Sequence, residues 1–382
     1  MSASGLRRMV LHVAKISLKT RWVFVQLHHA DGRVGAGEAS LNGHESALVA
    51  AADGLAAAAL GTPLDRPATF AAAIVPADLA QAALVSAIDQ ALWDLHAQGA
   101  GVRLADALGG AARETIPVYA NINRRTALRT PAGFALSARD AFAAGFRAFK
   151  VAPFDEVDPA RCAGGAGEVA MQAGLARVAA VRAEIGPQCR LMVDCHWRFD
   201  AAGARQLVNA AAQLGVYWIE CPLPEVEGNI AALVRLRKQA NGLGIRLAGL
   251  EHGIRYEAFR PYCDAGAYDV MMPDVKYIGG LEAMLRAAEA FAACGVEMSP
   301  HNPSGPVAHA ASLHVGAAMG AFDMLEMQFD ESPLFDRLAG GALPPRIAGH
   351  SALPSGAGLG IGLDAQLLVA HGDGAARVWE AP

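Results

Sequence analysis

Six ionisable residues recur through the middle of the chain at near-regular intervals: Asp194, Glu220, Glu251, Asp274, His301 and Glu326. The gaps between them are 26, 31, 23, 27 and 25 residues, each about the length of one strand and one helix. Converging that many charges in one volume is electrostatically costly unless a cation neutralises part of them. Asp194, Glu220 and Glu251 form an all-carboxylate set on consecutive units. Such a set suits a hard, oxygen-seeking ion, Mg²⁺ in preference to Zn²⁺. Asp274 and His301 lie one unit apart, and an imidazole held by a neighbouring carboxylate has a fixed tautomer and can act as a general base. Glu326, in carboxylate-rich surroundings, is expected to stay protonated and to donate a hydrogen bond to a substrate carboxylate.

The elements that must position these groups can be read from the hydrophobic pattern. From Ile116 onward, eight short apolar runs alternate with Ala- and Leu-rich helical stretches: Ile116–Asn121, Ala148–Ala152, Leu191–His196, Tyr217–Glu220, Leu247–Glu251, Val270–Asp274, Val296–His301 and Met324–Gln328. Strands alternating with helices imply parallel units, and eight of them suggest a closed barrel with its chemistry at the C-terminal strand ends. Lys150 falls at the second of those ends, and His196 two residues after Asp194. Strand periodicity would turn Asp194 and His196 to the same face. Upstream, Met9–Leu18, Trp22–His28 and Arg33–Glu38 read as a small meander, followed by helical spacing over 43–60 and 79–98. Leu84, Ile88, Leu92 and Leu95 line one face of the second helix. Residues 331–362, rich in Pro and Gly, carry no amphipathic helix, so the eighth barrel helix is expected to be missing.

Composition narrows the partners. The chain has 382 residues, 53% of them hydrophobic, which predicts a large core. Lys+Arg 32 against Asp+Glu 37 leaves a net charge of −5, which argues against a nucleic-acid or anionic-membrane partner. No run approaches the roughly 18 apolar residues of a membrane span. The six cysteines are scattered without a CxxC pair, which fits a reducing cytoplasm. Arg7-Arg8 precedes an apolar stretch too short for a secretory signal.

Several segments, in order, resemble the mandelate racemase / muconate lactonizing enzyme-like branch of the enolase superfamily. They are Gly35-Ala36-Gly37-Glu38-Ala39, Ala87 to Leu95, Leu108-Gly109-Gly110, Glu220-Cys221-Pro222, Pro273-Asp274 with Gly279-Gly280, and Pro354 with Gly356 to Gly362. The resemblance implies a modified (β/α)7β barrel (TIM barrel) at 113–330. It also implies an α+β capping domain at 1–112, with a C-terminal segment, 331–382, returning to it. It implies Mg²⁺ on Asp194, Glu220 and Glu251, a His301–Asp274 base, and abstraction of a proton α to a carboxylate to give an enediolate. A His or Lys base working with Mg²⁺ is the general pattern of that superfamily. It further implies a homo-oligomer acting on a small-molecule carboxylate.

Three departures refine the expectation. The family's second barrel strand often ends in Lys-x-Lys, but here Lys150-Val151-Ala152 keeps only the first lysine, which weakens two-base racemisation. Only Lys19-Thr20-Arg21 separates the first two β-like runs, where relatives insert a specificity loop, so Phe154–Gly167 or a neighbouring subunit is expected to cover the site. The Asp194-x-His196 pattern resembles some sugar-acid dehydratases, with His196 placed to protonate a departing hydroxyl. Trp197, Arg198 and Asn302 are candidates for binding substrate hydroxyls. The reading is a Mg²⁺-dependent lyase that dehydrates a polyhydroxy (sugar) acid to a 2-keto-3-deoxy acid. The alternatives are a racemase, epimerase or cycloisomerase of the same superfamily, and a non-catalytic metal-dependent carboxylate-binding protein.

Overall fold

The computed structural model describes residues 5–162 and 165–381. Three antiparallel strands open the chain: β1 Leu6–Lys15, β2 Arg21–His29 and β3 Val34–Glu38. β1 stops at Lys15, three residues short of the sequence expectation, and Leu18 projects into solvent at 90% exposure. Helices Glu45–Gly61 and Leu79–Ala100 follow. Leu79–Ala100 was expected to bury one face, yet almost every residue from Ala80 to Leu95 is buried. Leu84, Ile88, Leu92 and Leu95 pack on Leu6, Val23, Val25 and Leu27 of the sheet. Its other face carries Asp89 and Asp94, which accept hydrogen bonds from Leu281 N and Leu359 N. Glycine permits the closest approach: a Cβ on Gly37 would lie 1.8 Å from Ala87 O.

Eight parallel strands follow: β4 Thr115–Asn121, β5 Ala148–Val151, β6 Arg190–Asp194, β7 Trp218–Glu220, β8 Arg246–Gly249, β9 Val270–Met271, β10 Glu297–Met298 and β11 Leu325–Gln328. Each pairs with the next from β4 to β10, and β11 pairs back onto β4. Hydrogen bonds from Asp323 N to Met298 O (2.9 Å) and from Ser299 Oγ to Met324 O (2.7 Å) tie β10 to β11. Long helices fill the connections between strands. After β11 come only two short helices among the described residues, Leu334–Leu338 and, further on, Ala365–Ala370. Between them the chain forms β12 Arg346–Ile347 and β13 His350–Ala352, which pairs antiparallel with the start of β4. It ends in β14 Arg377–Glu380, antiparallel to β1. Three apolar clusters result among the described residues: a large one through the barrel that reaches Ala14, Trp22 and Phe24 of the N-terminal sheet, one under that sheet, and a small one that gathers Tyr119, Met192 and Trp218 of the barrel strands. No helix among the described residues is long and apolar enough to cross a membrane.

Candidate active site

Asp194 and Glu220 are the last residues of β6 and β7, and Glu251 lies two residues past the end of β8. One carboxylate oxygen from each falls within 4.8 Å of the other two, and all three residues are buried. The backbone bends sharply here. His196, Trp197, Cys221 and Leu250 all take positive φ, between 46° and 69°, a conformation costly for side chains of this size. Periodicity was therefore the wrong argument for His196. The strand ends at Asp194, and a left-handed turn folds the imidazole back so that Nε2 lies 2.9 Å from Asp194 Oδ2.

Lys150 sits behind the carboxylates, 1% exposed. Its Nζ is 2.6 Å from Glu220 Oε1, 3.0 Å from Glu326 Oε1 and 3.8 Å from Asp194 Oδ2. Burial opposes its charge, but Glu220 and Glu326 outweigh that and raise its pKa well above the ordinary lysine range. The acids respond unequally. Burial, with Asp194 and Glu326 adding repulsion, pushes Glu220 up to about 8 despite Lys150. Burial and Asp194 carry Glu251 well above the carboxylate range, and its Oε2 has no hydrogen-bond partner. Burial also works against Asp194, but His196 and Lys150 outweigh it and hold that carboxyl low. An all-oxygen set with an orphaned buried oxygen and mutual repulsion fits a divalent cation, which would favour the ionised form of all three.

Across the cavity, His301 Nδ1 lies 2.9 Å from Asp274 Oδ2, and its Nε2 is 3.5 Å from Glu251 Oε2. Burial opposes the charge of Asp274, while Lys276 and His301 together hold its pKa below the usual range. Glu326 corrects the expectation of a protonated acid. Burial would favour the neutral form, but Lys150, His301, the Asn121 amide (2.6 Å) and Asn302 N (2.9 Å) lower its pKa. Glu326 is thus an acceptor here, not a donor.

The hydroxyl-binding candidates fare less well. Asn302 is 1% exposed and bonds Glu326 and His309 rather than lining the cavity. Arg198 donates to the carbonyls of Asp155 and Val157. Trp197 donates to Glu225 Oε2 at 2.9 Å and lines a neighbouring cavity. Turns past the strand ends carry these side chains away from the shared volume.

That volume is a cavity of about 400 Å³ lined by Lys150, Asp194, His196, Glu251 and His301. Its cover comes from the N-terminal domain, through Arg21 and Trp22 at the start of β2, the 40–44 loop and Leu79. Thr20 bonds Glu331, which also takes Arg124 at 2.9 Å, so the β1–β2 loop is latched to the barrel rim. Phe154–Gly167 or a neighbouring subunit was the expected cover; Phe154 is buried edge-on against Phe199, and no described residue of that stretch lines the cavity. Residues 163 and 164 of that stretch fall outside the described residues. Sequence reasoning missed Arg21, Trp22, His252 and Lys276, all of which line the cavity. Only Lys276 carried a local signal, standing two residues after Asp274.

A parallel barrel with carboxylates and an imidazole at its C-terminal strand ends, roofed by an α+β domain, defines a class of barrel enzymes that work on carboxylates. Residues 6–109 match the mandelate racemase / muconate lactonizing enzyme N-terminal domain, and residues 133–367 match the enolase C-terminal domain-like family. The chain belongs to the mandelate racemase / muconate lactonizing enzyme branch of the enolase superfamily. It is 31% identical over 361 residues to a D-gluconate dehydratase of Thermoproteus tenax, covering 91% of this chain and 70% of that one. It is 28% identical over 303 residues to a D-galactonate dehydratase of Verminephrobacter eiseniae, covering 77% and 75%. Among solved structures, a mandelate racemase/muconate lactonizing enzyme-like protein from Roseovarius sp. TM1035 superposes with a TM-score of 0.86 at 24% identity, covering 97% of this chain and 96% of that one. An enolase superfamily member from Salmonella Typhimurium gives 0.85 at 22% identity, covering 98% and 99%.

Proposed function

We propose that the protein is a Mg²⁺-dependent dehydratase of a polyhydroxy (sugar) acid, releasing water to give a 2-keto-3-deoxy acid. The observation that carries this reading is the His301–Asp274 pair facing the Asp194–Glu220–Glu251 set across one cavity. The gluconate and galactonate dehydratases among its relatives support the same substrate class. Mg²⁺ held by the three carboxylates would supply positive charge beside the substrate carboxylate, which lowers the cost of removing the α-proton. His301 Nε2 takes that proton, and Asp274 keeps Nδ1 protonated and the ring in place. Lys150 adds positive charge behind the site, and Glu326 anchors Lys150. The β-hydroxyl then needs an acid within about 2.6–3.2 Å. His301 offers one on its own face, and His196 one beside Asp194.

A racemase or epimerase reading lacks support, because inversion needs a second base and Lys150 is enclosed by three carboxylates. A pure binding protein would have no use for the His–Asp pair. Three coarser assignments accompany the proposal. The domain division 1–112, 113–330 and 331–382 is supported by the strand pairing, which puts β1, β2 and β3 in one sheet with the returning β14 and the eight parallel strands in another. A cytoplasmic setting is supported by six free cysteines. A homo-oligomer is proposed on membership of the family alone. Screening a sugar-acid library with Mg²⁺ for 2-keto-3-deoxy products tests the central claim. Loss of water from no sugar acid, or full activity after exhaustive chelation, would reject it.

A further inference from the structure

A dehydration that removes an α-proton and a β-hydroxyl from one face needs a base free of its proton and an acid carrying one. A lone imidazole must be first one and then the other. Two neighbouring groups can be both at once. Beside His301 the structure provides a second group. Lys276, 1% exposed, follows β9 and lines the same cavity. Its Nζ lies 2.5 Å from Asp274 Oδ2, the oxygen that also takes His301 Nδ1 at 2.9 Å. The Ser304 hydroxyl oxygen stands 2.5 Å from the same Nζ. A lysine ammonium has three N–H donors, and these two oxygens account for two of them. The Nζ also stands 4.9 Å from the centroid of the Tyr277 ring, and Lys276, Tyr277, His301 and Ser304 all line the cavity.

Resting on the dehydratase reading above, we propose that Lys276 is the catalytic acid that protonates the departing β-hydroxyl on the His301 face. The step balances. His301 Nε2 receives the α-proton, and the electron pair of the Cα–H bond passes through the enediolate into a Cα–Cβ double bond. The Cβ–O bond breaks, its oxygen takes a proton from Lys276 Nζ, and water leaves. One proton has been gained by His301 and one lost by Lys276, and Asp274 Oδ2 bonds both nitrogens, a direct path for restoring each. The resulting enol then becomes the 2-keto-3-deoxy acid by tautomerisation, with no further reactant.

The test uses the Mg²⁺-loaded full-length enzyme with D-gluconate, D-galactonate and their 3-chloro-3-deoxy analogues. Exchange of the α-proton in D₂O and loss of the 3-substituent are followed separately. Lys276→Met removes the donor. Lys276→Arg keeps a cation against Asp274, and so guards the fold, but guanidinium does not give up its proton. Both variants should keep α-proton exchange within about tenfold and lose about 10²–10⁴-fold in dehydration. Chloride needs no proton to depart, so its elimination should stay close to the parent rate. Dehydration by Lys276→Arg at the parent rate would overturn the proposal, since a fixed cation would then suffice. Parallel loss of exchange, dehydration and chloride elimination would also overturn it, making Lys276 a positioning residue for Asp274. A parent enzyme that neither exchanges the α-proton nor expels chloride fails one step earlier, on the dehydratase reading itself, and the Lys276 role falls with it.

Discussion

The two halves of the barrel rim solve the problem of buried charge in opposite ways. On the β6–β8 side, three carboxylates crowd together, burial drives two of them up, and one oxygen is left without a hydrogen bond. On the β9–β10 side, Asp274 is just as buried but has Lys276 and His301 on one oxygen, and its pKa is low. The first half is incomplete within the chain and calls for an external cation. The second half is complete, and what it offers a ligand is proton donors and acceptors already in place. Buried carboxylates alone do not define a metal site; mutual repulsion together with an oxygen left without a hydrogen bond does.

The contrast can be broken most severely on its incomplete side. Glu220→Gln should abolish Mg²⁺-dependent turnover while leaving circular dichroism unchanged. It should also remove the thermal stabilisation that the ion gives the parent, about 2.7 kcal/mol at a hundredfold excess over Kd. A variant still stabilised by Mg²⁺ would show that the three acids are not the ligands. On the complete side, His301→Asn should cut α-proton exchange by at least about 10²–10⁴-fold while leaving Mg²⁺ binding intact. Isothermal titration alongside NMR exchange would separate the two halves directly.

A smaller effect is expected where the halves meet the turns. If His196 serves to hold Asp194, His196→Asn should lower exchange and water loss together, by about tenfold. Collapse of water loss alone, with exchange preserved, would make His196 the acid and displace Lys276.

The mildest test concerns a buried carboxyl outside the cavity, in the helix Leu79–Ala100. Burial, with Glu282 adding to it, raises Asp89 from 3.8 to about 7 against the Leu281 N–H and Arg286. Because its folded value lies above its unfolded one, its stabilising contribution is fully present below pH 3.8 and is lost as pH rises through about 7. Asp89→Asn keeps an acceptor for Leu281 and has no charge to bury. Its unfolding free energy should therefore gain on the parent across that interval, by on the order of a few kcal/mol. Denaturation curves at a series of pH values would check the slope.

Much of the rim was legible in the sequence because one strand and one helix take a nearly constant length. The residues ending β6 and β7, and those just past β8 and β9, could therefore be picked out by spacing. What failed were inferences that extended a strand beyond its end. His196 stands with Trp197 in a left-handed turn that no periodicity describes, and Trp197 and Arg198 bond partners outside the shared cavity. Glu326 was misjudged because its ionisation depends on Lys150, Asn121 and Asn302, residues brought close by the barrel and not by sequence. The roof was invisible for the same reason, since Arg21 and Trp22 reach the site only when two domains meet. Leu79–Ala100 was recognised as a helix, but its second buried face carries Asp89, Gln90 and Asp94, polar residues that a hydrophobicity pattern assigns to solvent.

The antiparallel pairing of β14 with β1, Arg8 opposite Glu380, has a consequence for synthesis. A nascent chain emerging from the ribosome presents β1, β2 and β3 first, but their fourth strand arrives only after the whole barrel has been translated. Until then one edge of that sheet lacks a partner. The roof of the cavity is thus begun before the barrel and finished after it, and translation pausing between β11 and β14 would prolong the time its open edge is available to other strands.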